Sequence, residues 1–427
     1  MKKKITVSTA LTLVVLTAAL AVSVTMMLAM RYFNRQVQWV SQRKAMYTYI
    51  DETDQAVREH YATLNEETLR QNVIAGFVAG TGDAYAQYFT PQAYLDEQQR
   101  LSGYANNVGI SLCADASGNI VIYDVAPDSA AAKAGVQKGD VLTAVDGVEV
   151  ADKTALELQR TIDAAEKVLI SVRRADTNVA FELSPYRYVV RSARSSTIGT
   201  VGYIKITAFY ENTPAQLAEA IADLKQQGVT GLVLDLRNNR GGLSSSMHET
   251  LSLLMPLGMY GSMVDINGST TSLSSSVNDH IGVATVVLVN ANTSCEAEFI
   301  AGAMQEQSLA TIVGVKTAGK AKYQEFVKIK LDNSAVKLTR GNYSLLKGGS
   351  FEGKGITPNK EVSLTAQQQA IFPLLTSAND PQLKMALEQL GSSNSDVLNN
   401  ATTTTKPSTP SDTTDGSSTT TTTTAAK

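Results

Sequence analysis

The chain reads ATVVLVNANTSCEAEFIAGAM from residue 284 to residue 304, and this segment carries the clearest structural pattern in the sequence. Five of its first six residues are apolar, the six have the length of a buried strand, and a polar turn follows them. Apolar residues then recur at the spacing of one helix face: Phe299, Ile300, Ala303 and Met304. The stretch therefore predicts a strand, a tight turn and a helix N-terminus, with Cys295 in the turn.

Cys295 is a candidate nucleophile because of this position. It would face the unpaired backbone N–H groups and the positive dipole end of the helix. Lys320 follows 25 residues later, and Gln324 lies four residues beyond it. A nucleophile, a lysine that accepts its proton and an amide that orients the lysine make a usable catalytic set. A free cysteine is also commonly a small buried apolar residue, and Cys113, in an alternating strand, fits that description.

With these residues the sequence resembles the C-terminal processing (tail-specific) peptidases, a family of serine proteases with a Ser–Lys–Gln active site. The similarity continues in three segments: RNNRGG at 237–242, ATIVG at 310–314 and GKGITP at 353–358. The resemblance implies an α/β fold, with a crotonase-like catalytic core, an inserted PDZ domain and an N-terminal helical arm.

The resemblance also implies the roles of the site residues. Cys295 stands in the place of the serine nucleophile, Lys320 is the general base and acid, and Gln324 orients the lysine. The backbone N–H groups of Gly241 and Glu296 would form the oxyanion hole. Glycine suits that turn because its backbone approaches the reacting carbonyl without a Cβ in the way.

Several residues depart from the family pattern. Glu296 replaces a small residue, Arg240 replaces a proline, and Ala318 and Ala321 replace Phe and Gly around the lysine. The largest departure is Cys295, because a thiol is more acidic than an ammonium group. We therefore expect a resting thiolate–ammonium pair with Lys320. The alternative is a pseudoprotease that binds peptides and cleaves nothing.

Residues 101–187 resemble a PDZ domain, with a helix expected at about 154–165 and alternating strands at 168–172 and 179–183. Such domains add an extended C-terminus to a sheet edge and hold its carboxylate with backbone N–H groups. The corresponding loop is formed by Asn107, Val108, Gly109 and Ile110. The alternative is a PDZ domain that binds nothing and only packs on the core.

Residues 190–390 alternate strands and helices, which predicts a mostly parallel α/β core with a C-terminal helix. Thr213 is expected to cap one helix, with Pro214 at its first position. Its buried stripe would be Leu217, Ile221 and Leu224. The segment 314–320 has the spacing of a phosphate-binding loop, but Ala321 replaces the hydroxyl residue that such loops need for magnesium.

Composition excludes several classes of function. The net charge of -3 and the pI near 5.8 give no support to a nucleic-acid partner. The two cysteines are far apart, and the three histidines are scattered. These patterns predict neither a disulfide scaffold nor a metal site, and no cofactor is implied.

The two ends of the chain have distinct compositions. Residues 1–4 would form a cytoplasmic end, and the apolar residues 5–30 are long enough for an uncleaved transmembrane anchor. Residues 31–100 read as a helical region, through which the resemblance implies homodimerisation. Residues 391–427 form a tail whose last 27 residues include 13 threonines, a composition that predicts disorder.

The function that the resemblance implies is that of a membrane-anchored endopeptidase whose catalytic part lies outside the cytoplasm, since the charges on either side of the apolar segment do not settle its orientation. Its partners would be partly unfolded proteins with free C-termini, captured by the PDZ domain. Cleavage would proceed through an acyl-enzyme on Cys295, with the roles given above.

Overall fold

The computed structural model describes residues 7–276 and 280–391. The predicted cytoplasmic end and the threonine-rich tail from residue 392 onward lie outside the described residues. The chain divides into two compact units, Met1–Phe77 and Val78–Lys427.

The first unit contains the long helix α1 (Val7–His60) and most of α2 (Glu66–Ala79). Within α1, the segment Leu11–Asn34 has a mean hydropathy of 2.4 and exposed side chains. Its length and composition suit a membrane span, and a signal sequence has the same properties. The predicted anchor at 5–30 largely coincides with this segment.

The second unit begins with a short segment that is attached to the catalytic core. Strand β1 (Gln87–Phe89) pairs antiparallel with a late strand of the core, and helix α3 (Pro91–Leu101) follows it. Thr90 caps α3 by accepting a hydrogen bond from the Ala93 N–H at 3.3 Å. Residues that precede the PDZ-like region are thereby brought next to the core.

The PDZ-like region is a small β-domain with two helices. Its elements in chain order are β2 (Tyr104–Asn107), β3 (Ile110–Ala114), β4 (Ile120–Val125), α4 (Ala130–Ala134), β5 (Val141–Val145), β6 (Val148–Glu149), α5 (Ala155–Ala164), β7 (Val168–Arg174), β8 (Thr177–Leu183) and β9 (Tyr186–Val189). The main sheet has the order β3-β4-β5-β7-β8, so β3 lies at an edge. Thr154 and Glu157 form a capping box at the start of α5. The apolar side of α5 packs into the domain core through Leu158 and Ile162.

The α/β core contains β10 (Ala193–Ile198), β11 (Val201–Ile206), α6 (Thr213–Gln226), β12 (Gly231–Asp235), α7 (Ser244–Leu254), β13 (Gly258–Asp265), β14 (Thr270–Ser275), β15 (Ala284–Val289), α8 (Glu296–Glu306), β16 (Ala310–Gly314), β17 (Lys322–Lys328) and β18 (Ala335–Leu345). The chain then continues through β19 (Lys360–Glu361), α9 (Ala366–Ala370), a 3-10 turn (Phe372–Leu374) and α10 (Pro381–Gln389).

Two sheets organise these elements. One has the order β10-β11-β12-β15-β16-β19, and it is parallel except for β10. The other has the order β1-β18-β13-β14, with β17 also paired to β18. Strands β12 and β15 are adjacent and parallel, so the turns that follow them meet at the same sheet edge. That edge carries both the glycine turn and Cys295.

Helix α6 shows one local difference from the sequence prediction. The predicted stripe is buried, since Leu217, Ile221 and Leu224 are at most 4% exposed. The N-cap, however, is Asn212, and Thr213 is the first helical residue. Thr213 was expected to cap the helix; its hydroxyl instead accepts a hydrogen bond from the Tyr210 N–H at 2.8 Å.

A buried ion network ties the end of β12 to the last helix. Arg237 contacts Asp235 and Asp380 at 2.7 Å each, and all three side chains are at most 4% exposed. Arg237 also donates to the side chain of Gln382 at 3.0 Å, and Tyr203 donates to Asp235 at 2.6 Å. The network fixes the start of the glycine turn against α10.

Candidate active site

Cys295 lies at the turn between β15 and α8, as the sequence predicts. Its backbone has φ 58° and ψ −119°, a conformation that residues with a side chain rarely adopt. Such a strained strand-to-helix turn raises a side chain toward the end of a sheet, as in the nucleophile elbow of other hydrolases. The preceding residue, Ser294, instead donates its backbone N–H to the Asn239 carbonyl at 2.9 Å.

Glu298 joins the cysteine turn to the lysine loop. Its Oε2 accepts the backbone N–H groups of Cys295 at 3.1 Å and Lys320 at 2.8 Å. Its Oε1 accepts the Gly319 N–H at 2.7 Å and the Thr317 hydroxyl at 2.5 Å. The residue is fully buried, so these four donors fix the carboxylate and are fixed by it.

Lys320 has two partners within the protein. Its Nζ donates to Gln324 Oε1 at 3.1 Å, the contact that the sequence spacing predicts. The same Nζ lies 4.4 Å from the centre of the Tyr85 ring, within the range of a cation–π interaction. Tyr85 is placed by Asp83, which accepts the Thr339 N–H on β18 at 3.0 Å. The lysine thus lies between strand β17 and the segment that precedes β1.

The Cys295 thiol is buried and donates to the backbone carbonyl of Lys322 at 3.2 Å. Gln324 Nε2 donates to the same carbonyl at 2.9 Å, so the amide links the thiol's acceptor to the lysine. Burial raises the pKa of the thiol well above its ordinary value, and the Glu296 carboxylate raises it further, while Lys320 acts in the opposite direction. The resting thiolate–ammonium pair expected from the sequence is therefore wrong for this structure, because burial outweighs the lysine charge.

The glycine turn is where the sequence places the oxyanion hole, and its N–H groups have partners within the protein. Gly241 donates to Asn239 Oδ1 at 2.8 Å, and Gly242 donates to Glu296 Oε2 at 3.0 Å. A Cβ on Gly241, whose φ is +93°, would lie only 2.1 Å from that carboxylate oxygen. The other oxygen of Glu296 accepts the Tyr343 hydroxyl at 2.7 Å. A buried carboxylate therefore stands beside the thiol at the turn.

Sequence reasoning missed Tyr85 and the carboxylate of Glu298. Tyr85 lies far from Lys320 in sequence, and the tertiary contacts of its segment with β18, which are the β1–β18 pairing and the Asp83–Thr339 hydrogen bond, bring the two together. The sequence does contain a pattern that points to Glu298, because an acidic residue at the third helical position commonly reaches back to the N-cap backbone. That signal indicates a helix start; the contact with the lysine loop comes from the tertiary fold.

The predicted peptide-binding loop lies between β2 and β3. Gly109, with φ +84°, donates its N–H to Asn107 Oδ1 at 2.9 Å. The Val108 carbonyl accepts the Ala131 N–H at 2.9 Å, and Ile110 begins β3. The loop is thus anchored to the start of α4.

No group of three or more His, Cys, Asp or Glu placed to hold a metal ion occurs among residues 7–276 and 280–391. The chemistry available at the site is that of a thiol, an amine, an amide and backbone N–H donors. Such a set suits nucleophilic attack on a carbonyl followed by acyl transfer.

Comparison with known sequences identifies the region that contains these residues. The sequence model of Peptidase family S41 matches residues 200–362, which include the glycine turn, Cys295, Lys320 and Gln324. Residues 200–362 therefore form a domain of the S41 peptidase type. A PDZ domain model matches residues 121–174 of the same chain. The fold class and the resemblance to the C-terminal processing peptidases are thereby confirmed.

Two relatives illustrate what this chain is similar to. The carboxyl-terminal-processing protease of Synechocystis sp. is 28% identical over 375 residues, which cover 84% of this chain and 82% of the relative. The carboxy-terminal processing protease CtpA of Bacillus subtilis is 27% identical over 319 residues, with 73% and 67% covered. A solved S41 protease from Bacteroides fragilis has a TM-score of 0.57 at 17% identity, covering 78% of this chain and 92% of that chain. At that identity the likeness shows the fold alone.

Proposed function

We propose that this chain is a membrane-anchored endopeptidase that cleaves partly unfolded protein tails, with Cys295 as its nucleophile. The observation that carries the proposal is the strained turn at Cys295, which is linked through Lys322 and Gln324 to the lysine amine. A φ of 58° at a residue with a side chain is retained when the surrounding structure fixes it, and such strain is concentrated at functional sites.

The proposed reaction begins once the Lys320 amine has released a proton to water, so that it can accept the proton of the Cys295 thiol. The thiolate of Cys295 then attacks the peptide carbonyl, and the backbone N–H groups of Gly241 and Glu296 bind the oxyanion. Collapse of this intermediate breaks the C–N bond, and the leaving amine takes the proton from Lys320. Water, deprotonated by Lys320, next attacks the thioester; the C–S bond breaks, the acid is released, and the Cys295 thiolate takes the proton back from Lys320. For Gly241 to donate to the oxyanion, its bond to Asn239 must open.

Substrate capture and location complete the proposal. The PDZ domain binds the free C-terminus of the substrate, and the loop at 107–110 receives its carboxylate. The apolar segment Leu11–Asn34 supports a single membrane anchor, with the catalytic part outside the cytoplasm. Homodimerisation through the N-terminal helical region belongs to the same proposal.

The alternative is a pseudoprotease that binds peptides without cleaving them. Two observations favour it: the raised pKa of the Cys295 thiol and the Gly241 N–H, which Asn239 Oδ1 already accepts. The first makes the nucleophile less reactive, and the second makes the oxyanion hole less available to a substrate.

The deciding experiment compares cleavage of an unstructured protein by the wild type, Cys295→Ala and Lys320→Ala. We expect the wild type to cleave, and each substitution to lower kcat/KM by at least about a thousandfold because the two groups act as a unit. Unchanged cleavage by Cys295→Ala would assign the activity to another residue or a contaminant. If all three proteins are inert and still bind peptides, the pseudoprotease alternative holds.

The charge of Glu296 predicts a change in pH dependence. Cleavage needs the thiol to lose its proton, so the wild-type rate should rise with pH into the alkaline range set by the raised pKa of Cys295. Glu296→Gln removes the adjacent negative charge while keeping a side chain that pairs with the Gly242 N–H and Tyr343. We expect the pH profiles of cleavage and of thiol alkylation to shift to lower pH. An unchanged profile for both reactions would show that Glu296 has no influence on the nucleophile.

A further inference from the structure

The peptide groove of the PDZ domain is already occupied by a side chain of the protein. Strand β3 is at the edge of its sheet, and helix α5 lies along the side that β4 leaves free. Gln159 on α5 reaches this edge and bonds to two backbone groups of β3. Its Oε1 accepts the Leu112 N–H at 3.0 Å, and its Nε2 donates to the Ile110 carbonyl at 3.1 Å.

These two backbone groups are the ones that an added strand needs. The carbonyl of Ile110 and the N–H of Leu112 belong to residues two apart, so they point to the same side of β3. A primary amide offers one carbonyl acceptor and N–H donors, which is the hydrogen-bonding set of a peptide unit. Gln159 therefore makes the bonds that the backbone of an incoming peptide would make.

The Gln159 amide is itself held in place. Its Nε2 also donates to Asp163 Oδ2 at 3.1 Å, one turn further along α5. The carbonyl oxygen and the nitrogen of the Gln159 side chain thus both have hydrogen-bond partners within the domain. At the end of the groove, the Gly109 N–H is occupied by Asn107 Oδ1, which also accepts the Tyr188 hydroxyl at 2.9 Å.

We propose that Gln159 is an internal competitor for the PDZ groove, which a substrate's C-terminal segment must displace before capture. The ligand is an extended peptide with a free carboxylate. Because binding breaks the two hydrogen bonds of Gln159, a peptide binds well only if its own backbone makes both of these bonds to β3. This inference rests on the proposed function, since it assumes that the PDZ domain captures peptides.

The test measures peptide affinity in the detergent-solubilised full chain carrying Cys295→Ala, so that the probe is not cleaved. The probe is a short fluorescein-labelled unstructured peptide ending in Ala-Val with a free carboxylate, and its C-terminally amidated form is the second arm. Gln159→Ala should tighten Kd about tenfold, because binding no longer breaks two intramolecular hydrogen bonds. Asp163→Ala, which removes only the amide's anchor, should tighten Kd by a smaller factor. Arg160→Ala, an exposed neighbour on the same helix, is the matched control and should bind as the parent does.

Amide hydrogen exchange tests the hydrogen bond between Gln159 and Leu112 independently of peptide binding. In the Gln159→Ala variant the amide of Leu112 loses its acceptor, so the peptide fragment covering residues 108–114 should exchange faster than in the parent. Alanine is the best helix former, so α5 should remain folded, and thermal unfolding checks this point.

Three results would overturn the inference. Equal or weaker binding by Gln159→Ala, with the parent binding the probe normally, would leave peptide capture standing and refute the competitor. Unchanged exchange at residues 108–114 would show that Gln159 does not cover the strand edge. Failure of every variant to bind the carboxylate probe would contradict peptide capture itself, and the inference with it.

Discussion

Glu298→Gln should nearly abolish cleavage and markedly destabilise the protein. The Glu298 carboxylate accepts four donors from the cysteine turn and the lysine loop. Glutamine keeps the shape but turns one acceptor oxygen into an N–H₂ group that faces N–H donors. We expect the free energy of unfolding to fall by about 3–5 kcal/mol, since at least two buried donors lose their acceptor. We expect kcat/KM to fall by at least about 100-fold, because the nucleophile and the base are displaced.

The control for this variant is Glu249→Gln, which makes the same chemical change at an exposed position on α7. Its stability should stay within about 0.5 kcal/mol of the wild type. Denaturant unfolding and cleavage of an unstructured protein measure the two quantities. Wild-type cleavage by Glu298→Gln would mean that the shared carboxylate does not position Cys295 and Lys320.

Arg237→Met should cause a comparable loss of stability by a different route. The substitution leaves Asp235 and Asp380 buried without their cation. Removing one partner of a buried ion pair costs about 3–5 kcal/mol, because an uncompensated charge remains in a medium of low dielectric. Arg240→Met, at an exposed position of the same turn, should leave the free energy of unfolding within about 0.5 kcal/mol of the wild type.

The pH dependence of this second variant gives a sharper test. In the wild type, burial alone would raise the pKa of Asp235, but Arg237 and Lys205 overcome it and hold that pKa below its ordinary range. A lowered pKa contributes stability above the unfolded value of about 3.9, and this contribution is lost as the pH falls below it. Without Arg237, burial should raise the pKa, so protonation would stabilise the variant. The difference in stability between the two proteins should therefore shrink from neutral to acid pH, and a constant difference would contradict the role of the ion pair.

The sequence predicted the local parts of the site and failed where tertiary packing decides. The strand at 284–289, the helix after Cys295 and the Lys320–Gln324 contact follow from periodicity and short spacing, so they were readable. The protonation of Cys295 was predicted wrongly, because its burial and the position of the Glu296 carboxylate depend on how the glycine turn packs.

Contacts between segments that are distant in the sequence could not be predicted, because they too depend on tertiary packing. No pattern in the sequence links Tyr85 to Lys320, or Gln159 to the edge of β3. Thr213 was misplaced by one residue, because a threonine before a proline suggests a cap, whereas its hydroxyl bonds to the preceding turn. A capping signal identifies a helix start more reliably than it identifies the capping residue.

The contact between Asp83 and Thr339 has a consequence for the order in which the site is assembled during synthesis. These residues are 256 positions apart, and their contact places the Tyr85 ring beside the lysine amine. Because translation delivers the N-terminal segment first, that segment waits while the PDZ domain and most of the core emerge from the ribosome. Lys320 acquires its aromatic neighbour only after β18 has been made. In a nascent chain the surroundings of Lys320 therefore stay incomplete until late in synthesis. The active site can form only when nearly the whole core is present.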